Sequence, residues 1–223
     1  MTSIRFSTDD RVSLEGDLRL PRGEPVAGAV VCHAHPRHGG SKDHPILWAI
    51  RAELAARGLV VLGFDFRGVM GSGGTHGGGR SETHDVAAAI GRVRDETAGP
   101  ILVCGWSFGA HVALREAIGD ERVAALALVG LPLDPHDVDV PAIPSAAELR
   151  ALRRPVLLLA GQGDVYAPRP RLEALAAQMP SAELVVLPGT DHFLWRREKE
   201  AAAAIGRFAV GALGLDQASP SDR

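Results

Sequence analysis

Apolar residues gather into unbroken runs, Val26–Cys32, Leu59–Phe64, Ile101–Trp106, Val123–Leu131 and Pro155–Ala160, and these restrict the fold more than any other feature. A strand with one face in water alternates apolar and polar residues, so a run without alternation predicts a strand covered on both faces. Between the runs the spacing becomes helical. Pro45–Arg57 places Ile46, Leu47, Ile50 and Leu54 on one side and stops at Gly58, and Glu82–Glu96 does the same with Val86, Ala89, Ile90 and Val93. Phe108–Ile118, Arg169–Met179 and Trp195–Leu213 read as further helices, and Leu184–Leu187 as a further strand. Ile4–Ser7 and Val12–Leu20 predict a hairpin, its second arm alternating at period two. Strands that alternate with helices predict an α/β fold on a mostly parallel central sheet of about seven or eight strands, with helices on both faces. Neither a repeat nor a linker-like stretch interrupts residues 1–215, which read as a single domain, followed by a polar, disordered tail at 216–223.

Charge narrows the function classes. The net charge is −3 and no more than two basic residues stand in a row, which argues against a nucleic-acid surface or docking on an anionic membrane. No apolar stretch reaches membrane-spanning length, and Met1–Arg5 opens no signal core, so the expectation is a cytoplasmic protein without membrane insertion. Cys32 and Cys104 sit inside apolar runs, where a thiol behaves as a small hydrophobe.

In an open α/β sheet, ligands bind beyond the carboxyl ends of the strands. There the sequence reads Gly105-Trp106-Ser107-Phe108-Gly109, with a strand before it and a helix directly after. So tight a strand-to-helix turn strains the serine backbone and leaves its hydroxyl standing clear, while glycines at 105 and 109 avoid collision with neighbouring backbone. The helix N-terminus behind Ser107 offers N–H groups to a developing anion. A serine hydroxyl needs a base, and the base an orienting carboxylate. Asp164, in Gly161-Gln162-Gly163-Asp164, and His192, in Gly189-Thr190-Asp191-His192-Phe193, both follow predicted strands and fall on the same sheet edge as Ser107.

With these motifs in the order Ser, Asp, His, the chain resembles the α/β-hydrolases, most of all their small, nearly capless serine hydrolases with a His-Pro-rich oxyanion loop. The resemblance also draws on His33-Ala34-His35-Pro36-Arg37-His38-Gly39-Gly40 and Phe64-Asp65-Phe66-Arg67-Gly68, so it spans residues 33 to 193. It implies an α/β-hydrolase fold with a minimal cap. It implies a cofactor-free esterase-like enzyme acting on a small acyl substrate through Ser107, His192 and Asp164. The backbone N–H groups of His35 and Phe108 would meet the oxyanion. Three departures from the family pattern stand out. Ala34 replaces a usual glycine. Met70 stands where a second glycine is common, with Gly71 expected to take the turn one residue later. Asp134, after the preceding strand, is an alternative acid. The connection Pro132–Ser145 is too short for a full helical lid. Trp106 and Tyr166 are candidates to line the pocket, as is His38, while His76 and His111 face either the site or solvent.

Other readings compete. His33, His35 and His38 have a spacing that holds zinc in some hydrolases, although Pro36 and the two glycines suit a shaped turn better. Gly68–Gly74 follows a strand as a phosphate-cradling loop would, but it does not open into a helix and lacks a Gly-Lys-Ser/Thr sequence. A non-catalytic or acyl-transferring member of the same fold is the third alternative. Oligomeric state has no signature in the sequence.

Overall fold

The computed structural model describes residues 1–133 and 140–215, so the predicted tail at 216–223 and Asp134 lie outside the described residues. Strands β1 (Thr2–Ser7), β2 (Ser13–Arg19), β3 (Ala27–Cys32), β4 (Leu59–Phe64), β5 (Ile101–Trp106), β6 (Val123–Val129), β7 (Val156–Gly161) and β8 (Ala182–Leu187) form one sheet in the order β1-β2-β4-β3-β5-β6-β7-β8. β1 and β2 make the antiparallel hairpin, β2 joins β4 antiparallel, and all pairings from β4 through β8 are parallel. The unbroken apolar runs are the central strands, buried at every position in β3, β4, β5 and β7.

Helices cover both faces. α2 (Glu82–Arg94) and α3 (Phe108–Gly119) bury Val86, Ile90, Val112 and Leu114 on one face, against Val30, Leu62 and Val103. α4 (Ala146–Ala151) and α5 (Arg169–Ala176) extend that layer through Leu149 and Leu172. On the other face α1 (Pro45–Ala56) and α6 (Glu198–Ala212) set Ile46, Ile50 and Ile205 against Val31, Leu102 and Leu157. The wide apolar stripes read from the sequence are these buried sides.

Two boundary shifts and one added element depart from the sequence expectation, each for a local structural reason. β6 stops at Val129 because Gly130 turns left-handed, at φ 52°. α6 begins at Glu198, since Leu194 and Arg196 hold φ values of 55° and 63° that no helix accepts. α4 is an unpredicted element. Ser145 caps it by accepting from the Glu148 N–H while the Glu148 side chain accepts from the Ser145 N–H, a reciprocal box that makes a six-residue helix worth forming. Between β6 and β7 the described residues contribute α4 and no inserted helical layer, which is a minimal cap. No helix among the described residues is long and apolar enough to cross a membrane.

Candidate active site

β5 ends at Trp106 and α3 begins at Phe108, leaving Ser107 alone to make the turn. It does so at φ 57°, ψ −117°, a region that non-glycine residues enter only under strain. The conformation is held at both ends. The Ser107 N–H donates to Val129 O (2.8 Å), and Ser107 O accepts from the Ala110 N–H (2.9 Å). A Cβ at position 105 would sit 2.2 Å from Gly109 O, and one at 109 would sit 2.6 Å from the carbonyl oxygens of both Cys32 and His33. The two glycines let the turn close on itself and against the end of β3.

The hydroxyl meets its partners from two other strand ends. Ser107 Oγ lies 3.0 Å from His192 Nε2, and His192 Nδ1 lies 2.8 Å from Asp164 Oδ2. Asp164 Oδ1 accepts from the N–H groups of Tyr166 (2.9 Å) and Ala167 (3.1 Å), so the buried carboxylate is fixed on both oxygens. A carboxylate can only accept, which puts the imidazole proton on Nδ1 and leaves Nε2 to accept from the serine. The loops carrying acid and base are packed together. Gly163 N–H donates to Thr190 O, and a Cβ at Gly161 would meet Asp191 O at 2.4 Å. Gly130 stands against the pair, since a Cβ there would lie 3.2 Å from Asp164 Oδ2, His192 Nδ1 and His192 Cε1.

Trp106, a candidate to line the pocket, has its ring 6.1 Å from that of His192. It is buried, its ring packs 4.3 Å from that of His44, and its indole N–H donates to the carbonyl of His192 (3.2 Å). It steadies the histidine from below. Tyr166 does reach the site, with its ring 4.9 Å from the His192 imidazole. His38 is exposed and touches only the edge of His35 among the rings. His111 is a core residue whose Nε2–H donates to Pro132 O (2.7 Å), and burial presses its pKa down to about 4.

The loop after β3 is fixed by its own polar groups. His33 Nδ1–H donates to Ala34 O (2.6 Å), its Nε2 accepts from the Phe66 N–H (3.0 Å), and burial lowers its pKa to about 4. Both nitrogens are therefore engaged in pinning the loop to the end of β4. His35 caps the short 3₁₀ turn Pro36–His38, accepting from the Arg37 N–H, and its ring packs 5.0 Å from that of Phe108. His33, His35 and His38 do not converge on a common point. Among the described residues, the side chains close enough to share an ion are the exposed Asp9, Asp10 and His84, and Asp10 is already paired twice with Arg67.

In Gly68–Gly74 the N–H groups of Gly68, Val69, Ser72 and Gly73 donate to backbone carbonyls, and the next glycine cluster is tied to an acid. Buried Glu82 accepts from the N–H groups of Gly77 and Gly79 (2.8 Å each), and His76 Nδ1 lies 2.8 Å from its Oε1. The turn itself differs from expectation, because Met70 takes the left-handed conformation (φ 47°). Gly71 instead makes room for Glu15, whose carboxylate a Cβ there would overlap. The His76 ring in turn packs against those of His35 (5.0 Å) and Phe108 (5.3 Å). Sequence reasoning had not found Glu82, Gly130 or the Trp106 bond. The Gly-x-Gly-x-x-Glu spacing was the signal for the first, and the other two had none.

Set against known proteins, the alpha/beta hydrolase domain profile matches residues 27–208. An alpha-beta serine hydrolase homologue from Coxiella burnetii is 27% identical and superposes with a TM-score of 0.79, over 92% of this chain and 96% of that one. XC6422 from Xanthomonas campestris, described as an a/b serine hydrolase without lid, is 24% identical with a TM-score of 0.81, over 98% and 96%. An uncharacterized protein of Rickettsia prowazekii, RP471, is 24% identical over 191 residues, 82% of this chain and 78% of its own.

Proposed function

The chain belongs to the alpha/beta hydrolase family, and from that premise we propose that it is a serine hydrolase cleaving an ester or related acyl bond of a small substrate. The observation that carries the reading is the relay from Ser107 Oγ through His192 to Asp164, at 3.0 and 2.8 Å. Ser107 Oγ attacks the carbonyl carbon as His192 Nε2 takes its proton, and the carbonyl electron pair becomes the oxyanion. Asp164 holds the imidazole with its proton on Nδ1 and stabilises the imidazolium. The amides of Phe108, at the start of α3, and of His35, in the loop after β3, meet the oxyanion. When the tetrahedral species collapses, the bond to the leaving oxygen breaks and Nε2 gives that oxygen its proton. Water then repeats the sequence on the acyl-enzyme and frees Ser107.

A fluorophosphonate probe mapped by peptide mass spectrometry tests this reading, because such probes modify a serine activated by a base and an oxyanion hole. The expected result is one adduct on Ser107, absent from Ser107→Ala and strongly slowed in His192→Ala. Wild-type turnover of small esters by Ser107→Ala would refute it.

A further inference from the structure

The loop that follows His192 turns aromatic rings outward. Phe193 is 44% exposed and Trp195 54%, while Leu194 between them is buried. Leu194 and Arg196 hold left-handed backbone, a strained arrangement in which Leu194 turns inward while Phe193 and Trp195 turn out. The exposed rings are ordered. Phe193 stacks on Trp195 with centroids 6.4 Å apart and planes 29° apart, and it meets the His192 imidazole edge-on at 5.7 Å. Trp195 rests on His44 at 5.9 Å. Tyr166 also lies against the imidazole, and Val165 beside it is 70% exposed. Tyr166 and Phe193 thus flank the imidazole, and Trp195 extends the exposed apolar surface from Phe193.

The chemistry says what part of a substrate lies there. The imidazole that accepts the Ser107 proton must hand it to the leaving oxygen, so that oxygen comes within hydrogen-bond reach of Nε2 while the carbonyl oxygen turns away to the amides. Whatever the leaving alcohol carries is laid beside the groups flanking His192. We infer that Tyr166, Phe193 and Trp195 form a leaving-group subsite, and that the favoured substrates are esters of alcohols bearing an aromatic or similarly flat apolar group. This rests on the serine-hydrolase reading above.

Two isomeric esters place the same ring on opposite sides of the scissile bond: 2-phenylethyl acetate on the alcohol, ethyl phenylacetate on the acyl group. With ethyl acetate as reference, kcat/KM for 2-phenylethyl acetate should be about tenfold higher, the scale of an aromatic stacking contact with its buried area. Ethyl phenylacetate should fall well short of that gain. Trp195→Ala and the milder Phe193→Leu should each bring the ratio of 2-phenylethyl to ethyl acetate toward one. Trp48→Ala, which removes an exposed ring that instead packs with Arg51, should preserve it. An equal gain from ethyl phenylacetate, no gain in the wild type, or a gain that survives both shelf substitutions would overturn the subsite. Fluorophosphonate labelling of Ser107 run in parallel separates the two claims. Labelling without leaving-group preference removes the subsite alone, and absence of both labelling and turnover removes the hydrolase reading and the subsite with it.

Discussion

Gly130→Ala is the sharpest perturbation of the site that replaces none of its polar groups. Two effects are expected and they are separable. Gly130 holds φ 52°, and a left-handed alanine costs about 1–2 kcal/mol, which in a domain of this size lowers Tm by roughly 2–8 °C. The new methyl would also stand 3.2 Å from Asp164 Oδ2 and from two atoms of the His192 ring, a few tenths of an ångström inside comfortable contact. Neither partner can retreat freely. Asp164 is held by two backbone N–H groups, and the His192 carbonyl by Trp106. A misplacement of about 1 Å costs on the order of a hundredfold in rate, so a shift of a few tenths should cost several-fold to about tenfold in kcat. Gly214→Ala supplies the control, since its φ of 69° carries the same backbone strain with nothing near the added methyl. The assay is kcat on a short-chain ester at saturation, with thermal unfolding of each variant. Equal kcat in Gly130→Ala and Gly214→Ala would refute the argument that this glycine sets the acid–base geometry.

Three further outcomes follow from contacts around the site. Trp106→Phe deletes the bond to the His192 carbonyl, a loss of about 1 kcal/mol that should appear as a several-fold fall in kcat with KM little changed; a change in KM alone would count against the positioning role. Glu82→Gln leaves a donor facing the N–H group of Gly77 or of buried Gly79 and should destabilise the fold by about 1–3 kcal/mol in urea titration, so an unchanged midpoint would be contrary evidence. His33 and His111 are held neutral with pKa values lowered to about 4, whereas the unfolded chain protonates near 6.5. Below that point the unfolded state binds more protons, so their contribution is intact above about pH 6.5 and declines as pH falls toward 4, by up to about 3 kcal/mol for each. His111→Gln keeps a donor for Pro132 O but does not titrate, and should shrink the stability difference between pH 7.5 and pH 5.

The relay and the sheet were legible because each rests on a local pattern. Continuous apolar runs declare strands buried on both faces, and Ser107, Asp164 and His192 lie beyond the carboxyl ends of β5, β7 and β8, so topology carries them to one edge. What was not legible depends on close approach between distant segments. Trp106 is a candidate to line the pocket because it adjoins the serine. Its orientation is set by His44 and by a carbonyl 86 positions away, which no periodicity records. Met70 was expected to yield the turn to Gly71, yet the constraint on 71 is the Glu15 carboxylate, brought there by the pairing of β2 with β4. The histidines were ambiguous for a similar reason. An imidazole buried as a double hydrogen-bonding strut, as His33 is, reads in sequence just like one that binds metal or substrate.

Buried acids show the same limit and also explain it. Asp65 accepts from the Lys42 N–H, Asp85 from the Arg67 N–H, and Glu82 from Gly77 and Gly79. In each case the donor is a loop amide, where no neighbouring strand supplies an acceptor, and at Lys42, Arg67 and Gly79 the residue is buried, where an N–H left unpaired is costly. A carboxylate can serve two such donors at once, but burial penalises its charge. Desolvation accordingly pushes Asp65 and Asp85 upward, against the opposing pull of Lys42 and Arg67. Replacing these pairs with apolar residues would remove that penalty and leave the amides without partners. Their place in the fold is therefore dictated by the irregular backbone that an active-site edge requires, and a sequence that shows only an acid beside a glycine does not reveal which amide it serves.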